Sequence, residues 1–171
     1  MIACAGISLG EKVSPMSYTA AEQIIQINLF GVLYAFDAAS TIMVKQKSGH
    51  LVALASVAGL NGLPGAGAYS SSKAAVLKLC ESLSIDYKRF GITVTAIAPG
   101  FIDTPLTRKN KHPMPFIMDV ETAAKKIKKA IEQKKALYMF PLSMKILVVA
   151  LSLLPRSIYR WLMSKSYYSK K

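Results

Sequence analysis

Tyr69 stands four residues before Lys73 in "GAGAYSSSKAAV", among residues too small to need either side chain for packing. In a helix, positions i and i+4 share a face, so the lysine ammonium would lie close to the phenol oxygen. A nearby positive charge favours phenolate and lowers a tyrosine pKa from its usual value of about 10 toward the working range of an acid/base catalyst. The same spacing also suits a solvated lysine beside a half-buried tyrosine, and the pair alone leaves both open. Ser56 lies thirteen residues before Tyr69 at the end of an apolar run, and Asn28 lies in "INLFG". Metal chemistry has little support, because His50 and His112 are far apart in sequence and neither Cys4 nor Cys80 has a ligand neighbour.

These residues need elements to hold them. Thr19 and Glu22 have capping-box spacing, and Ile24, Ile25, Leu29, Leu33, Phe36 and Ala39 recur at helical intervals, which predicts a helix from Thr19 to about Lys47 stopped by Gly49. "HLVALAS" then reads as a short strand buried on both faces. The glycine-rich loop "SVAGLNGLPGAGA" leads into the Tyr69 helix, whose Val76, Leu77, Cys80 and Leu83 continue to about Phe90 before Gly91. "ITVTAIA" is a second β-branched strand, and the proline-rich "PGFIDTPLTRKNKHPMP" is too irregular for either regular structure. Asp119 can cap "VETAAKKIKKAIEQKK", and a short strand "ALYMF" follows. Helices alternating with apolar strands predict an α/β fold, a parallel sheet covered by helices.

The formal charge of +13 is concentrated from Arg108 onward, and no Asp or Glu follows Glu132. A basic, apolar C-terminal end suggests an anionic lipid or other acidic surface; a lysine-rich solvated helix face is the competing explanation, and no motif supports nucleic acid. The run "ILVVALSLL" is too short to span a bilayer and is interrupted by Pro155. Lys145, Arg156, Arg160 and Lys165 among Leu, Ile, Tyr and Trp161 suit a membrane interface, or docking on the body or over a substrate pocket. With no charged leader or long apolar leader run, and two separate cysteines, a reducing, cytoplasmic setting is expected, with membrane association through the tail as a variant.

Five features in order carry a family resemblance: Tyr69-x-x-x-Lys73, Ser56 followed by "SVAG", Asn28 in "INLFG", "APGFIDT", and "ACAG" at Ala3 to Gly6. Together they resemble the short-chain dehydrogenase/reductase family over roughly residues 2 to 140, although the first two positions of the family's Asn-Asn-Ala-Gly motif are substituted here. The resemblance implies a Rossmann-like, doubly wound parallel sheet in three layers, α/β/α. No G-x-x-x-G-x-G occurs in the chain, so a domain truncated at its N-terminus is expected over 1–140, followed by a basic amphipathic tail over 141–171.

The activity implied is interconversion of a carbonyl and a secondary alcohol with NAD(P)(H), NADP(H) favoured by analogy. Tyr69 would be the general acid/base. Lys73 would lower its pKa and bind the nicotinamide ribose, Ser56 would polarise the carbonyl, and Asn28 would hold a water in a proton relay. Ala5, Gly6, Tyr69, Lys73, Pro99, Gly100, Ile102 and Thr104 would contact the cofactor. The loop from Leu106 to Met118 matches the family's substrate lid, and its Met114, Phe116 and Met118 suggest an apolar ligand. A homodimer or homotetramer through the two long helices is implied. The alternative is a catalytically weak relic that acts as a binding or membrane-peripheral protein.

Overall fold

The structure is a computed structural model that describes residues 1–9, 17–109 and 113–168, with the side chains of 109 and 166–168 left aside. Four strands form one parallel sheet in the order β1 (Ile2–Ala3), β2 (Gly49–Leu54), β3 (Ile92–Pro99) and β4 (Leu137–Phe140). Strands β2 and β3 pair over six residues, from Gly49 opposite Ile92 to Leu54 opposite Ile97. Parallel neighbours need a crossover, and helices supply each one. They are α1 (Tyr18–Ile25) and α2 (Gly31–Gln46), then α3 (Gly67–Asp86), then α4 (Val120–Glu132).

Strand alternation sorts the core into two layers. Leu51 and Ala53 of β2, Ala55 just after it, and Ile92, Val94 and Ala96 of β3 pack under Val32 and Phe36 of α2 and Val76 and Cys80 of α3. Val52 and Ile97 point the other way, onto Ala123 and Ala130 of α4 and Phe140 of β4. Both sheet faces are therefore covered, which explains why the strands read as continuous apolar runs.

The first long helix is continuous in space but contains a π turn at Gln26–Phe30. Its buried side chains Ile24, Asn28, Val32, Phe36 and Ser40 recur at every fourth residue. An α-helix of 3.6 residues per turn would rotate such a stripe away from the sheet, and the wider π turn takes up part of that drift. Tyr18–Gln46 is long and apolar enough to cross a membrane by length and composition, yet this stripe is committed to the sheet.

Several boundaries differ from the sequence reading. The cap of α1 is Ser17, whose hydroxyl accepts from the Ala20 N–H, and not Thr19, which lies inside the helix. Helix α2 stops at Lys47 in the left-handed region, φ 52°, and Gly49 already begins β2. The loop after β3 is less irregular than expected, because Ile102 bridges Met118 and Thr107–Lys109 form a 3-10 turn. Asp119 caps α4 as expected, accepting from Thr122 N–H at 2.8 Å.

After β4 the chain forms α5 (Leu142–Leu153) and, past Pro155, α6 (Arg156–Tyr168). The buried Asn61 ties this end to the loop after β2. Its Nδ2 donates to Val148 O at 3.1 Å and to Ser152 Oγ at 2.9 Å, while its Oδ1 accepts from Arg156 at 3.2 Å. Tyr159 adds a hydroxyl bond to Gly62 O at 2.6 Å.

Candidate active site

In a parallel sheet the loops that follow the strands meet along one edge, where open α/β folds hold their ligands. Ala5 and Gly6 follow β1, Ser56 follows β2, and Gly100, Ile102 and Thr104 follow Pro99 at the end of β3. Helix α3 brings Tyr69 and Lys73 to the same edge on successive turns.

Ser56 is extended, φ −165° and ψ 154°, and its Oγ caps the following 3-10 turn by accepting from Ala58 N–H at 3.1 Å. That turn lies directly on α3. A Cβ on Gly59 would come within 2.7 Å of Lys73 C and 2.8 Å of Ala74 N. Those are backbone atoms and cannot swing aside, so only glycine lets the serine loop approach this closely.

Lys73 is only 4% exposed, and its ammonium donates to Leu54 O at 2.8 Å, the last carbonyl of β2. Burial pushes its pKa down to about 8, partly offset by Cys4. The ammonium sits 5.9 Å from the centre of the Tyr69 ring. Burial raises the Tyr69 phenol above its ordinary value, and a hydrogen bond with Ser56 pulls it back. The expected downward push from Lys73 is therefore not the dominant effect: desolvation outweighs it, and the lowering comes from the serine.

Asn28 is fully buried within the π turn. Its Oδ1 accepts from Ile7 N–H at 2.8 Å, and its Nδ2 donates to Ile7 O at 3.0 Å and Ser72 Oγ at 3.1 Å. Ser72 in turn donates to Tyr69 O at 2.8 Å. One amide thus joins the β1 loop to the helix that carries the tyrosine. A Cβ on Gly6 would lie 3.3 Å from Lys73 Nζ and 3.4 Å from Asn28 Oδ1, so the bare glycine backbone keeps that corner open.

The remaining predicted residues form a second group at the end of β3. Gly100 N–H donates to Phe140 O at 2.7 Å, and its Cα backs onto Met144 of α5. Thr107, which the sequence reading passed over, donates to the Ile102 carbonyl, and its Oγ1 accepts from Thr104 N–H at 2.9 Å. Thr104 hence reaches the site already braced, a role that the T-x-x-T spacing could have suggested. Of the expected lid, residues 110–112, including His112, lie outside the described residues. Met118 is partly buried against the α4 core and Phe116 is 51% exposed, so within the lid trio the apolar surface on offer includes Phe116 and not Met118. Among the described residues no group of three or more His, Cys, Asp or Glu could hold a metal.

Serine, tyrosine and lysine are thus gathered at the C-terminal edge of a doubly wound parallel sheet. A profile of the short chain dehydrogenase family matches residues 1–115. The chain belongs to the short-chain dehydrogenase/reductase family. It is 34% identical over 159 residues to an uncharacterized oxidoreductase of Myxococcus xanthus, covering 93% of this chain and 63% of that protein. It is 36% identical over 119 residues to a 3-oxoacyl-[acyl-carrier-protein] reductase of Synechocystis, covering 70% of this chain and 48% of that protein. The chain thus spans about half to just under two thirds of the length of these relatives. A solved short chain dehydrogenase from Burkholderia cenocepacia, in complex with NADP, superposes with a TM-score of 0.80 at 22% identity, over 93% of this chain and 66% of that one.

Proposed function

We propose that this chain carries the reaction site of an NAD(P)(H)-dependent oxidoreductase that interconverts a carbonyl and a secondary alcohol. The observation that carries this reading is the buried cluster itself, in which Ser56 bonds Tyr69 and the Lys73 ammonium lies over the same ring. When bound, the nicotinamide supplies the hydride to the carbonyl carbon or takes it back. The residues here fit such a cofactor: Lys73 spends one of its three donors on Leu54, and the open corner at Gly6 lies beside it.

In the reduction direction the Ser56 hydroxyl hydrogen-bonds the substrate oxygen and stabilises the charge that develops there. Tyr69, whose phenol burial keeps protonated, gives its proton to that oxygen; in oxidation the phenolate takes the alcohol proton back. Lys73 stabilises the phenolate in between. Asn28 fixes the tyrosine helix to the β1 loop and so sets the geometry. Pro99, Gly100, Ile102 and Thr104 would flank the nicotinamide, with Ala5 and Gly6 toward the ribose.

An apolar substrate is supported by exposed Leu106, Phe116 and Ile117 in the loop beside the site. The Synechocystis relative, a reductase of 3-oxoacyl chains, points the same way. Assembly as a homodimer or homotetramer through α2 and α3 belongs to the same proposal, supported by exposed Tyr34, Ile42 and Ile85 on those helices. Tyr69→Phe tests the mechanism. Turnover of NADPH with a long-chain 3-oxoacyl thioester should fall by roughly a hundredfold or more, with NADPH binding retained. Unchanged turnover would exclude Tyr69 as the proton donor. A wild-type protein that binds neither NADPH nor NADH would favour the second reading, a non-catalytic relic that acts as a binding protein.

A further inference from the structure

The outer side of α5 is the reverse of what a surface helix normally shows. Leu142, Ile146 and Leu153 are 68%, 61% and 80% exposed. They are spaced four and seven residues apart, so they form one stripe, with Ala150 also exposed between them. The opposite side of α5 is used up: Met144 backs onto Gly100, and Val148 and Ser152 hold Asn61. Helix α6 repeats the pattern, with Ile158, Trp161 and Leu162 exposed at helical spacing while Tyr159 is buried against Gly62.

The charge around these stripes selects the occupant. Lys145, Arg156, Arg160 and Lys165 lie on the two helices, Lys165 at 5.5 Å from the Trp161 ring, and no carboxylate side chain occurs anywhere after Glu132. A second copy docking face to face would set these cations against one another. Anionic lipid instead satisfies both parts, taking the apolar side chains at the acyl boundary and the ammonium and guanidinium groups among its headgroups.

We infer that α5 and α6 form a docking surface for an anionic membrane, held by the Asn61 and Tyr159 bonds so that one face of α5 meets lipid while the other walls the candidate active site. This inference is independent of the reaction proposed above. These two helices would lie on the bilayer without crossing it, because Pro155 divides them and each is too short to span.

The test uses the full chain and vesicles of phosphatidylcholine with and without phosphatidylglycerol. Trp161 is the only tryptophan, so its emission reports this surface alone. Co-sedimentation with the anionic vesicles at low salt, a blue shift of Trp161, and release at high salt are expected. Lys145→Glu with Arg160→Glu should lower partitioning roughly tenfold or more, and Ile146→Ser with Leu153→Ser should lower it as well, at unchanged circular dichroism. Failure of the wild-type chain to sediment or shift, or equal binding to neutral vesicles, would overturn the inference. So would a dimer that Ile146→Ser with Leu153→Ser converts to monomer in the absence of lipid, since a second copy would then be the occupant.

Discussion

Lys73 offers a test of the site that needs no substrate. Its ammonium is 4% exposed, and its pKa is pushed from 10.5 down to about 8. Between those values the unfolded chain carries a proton on this lysine that the folded chain does not, so this group makes stability rise with pH across the window from about 8 to 10.5. At about 1.36 kcal/mol per pH unit the full rise is roughly 3 kcal/mol. Lys73→Met removes the titration but also the bond to Leu54 O, so its absolute effect mixes two contributions. The difference in unfolding free energy between wild type and Lys73→Met separates them. The lost bond is a constant offset, whereas the titration makes the difference change with pH. Urea unfolding of both proteins from pH 7 to 10.5 should therefore show wild type gaining roughly 3 kcal/mol on the variant as pH rises. A difference that stays flat would mean that the ammonium is well solvated, and the argument from burial would be wrong.

Two further substitutions probe the framework around the site. Asn28→Ala leaves the Ile7 N–H and C=O and the Ser72 hydroxyl without their partner, and should cost about 2–4 kcal/mol in chemical denaturation. Gly59→Ala places a methyl group against the Lys73–Ala74 backbone. It should lower the melting temperature and, by parting Ser56 from Tyr69, reduce kcat/KM on the order of a hundredfold in a reductase assay.

What could be read from the sequence was what side chains signal. The apolar runs of β2 and β3, the Tyr69 helix and the Asp119 cap all rest on side-chain hydrophobicity or capping chemistry, and the structure has each of them. Less legible were features made by the backbone. The π turn around Asn28 has no composition of its own. Asn28 bonds the main-chain N–H and C=O of Ile7 as well as Ser72, and Lys73 bonds the carbonyl of Leu54; those main-chain partners any residue could provide. Asn61 in a glycine-rich loop reads as a turn former, although it spans to three points on the C-terminal helices. Ser17 and Thr19 offer the same capping group two residues apart, and only the first turn's direction decides between them. The sign of the Tyr69 shift was missed because burial depth is not a local property.

The bond partners of Asn28 lie 21 and 44 residues away along the chain, and strand β2 separates Asn28 from Ser56 and Tyr69. No short segment can assemble this cluster by itself. Every strand pairing that brings it together is parallel and closes a long loop before any contact rewards it, the kind of topology that folds slowly. Reactivity should therefore appear late in refolding, after helicity has been regained, and a nascent chain would have no half-formed active centre to expose.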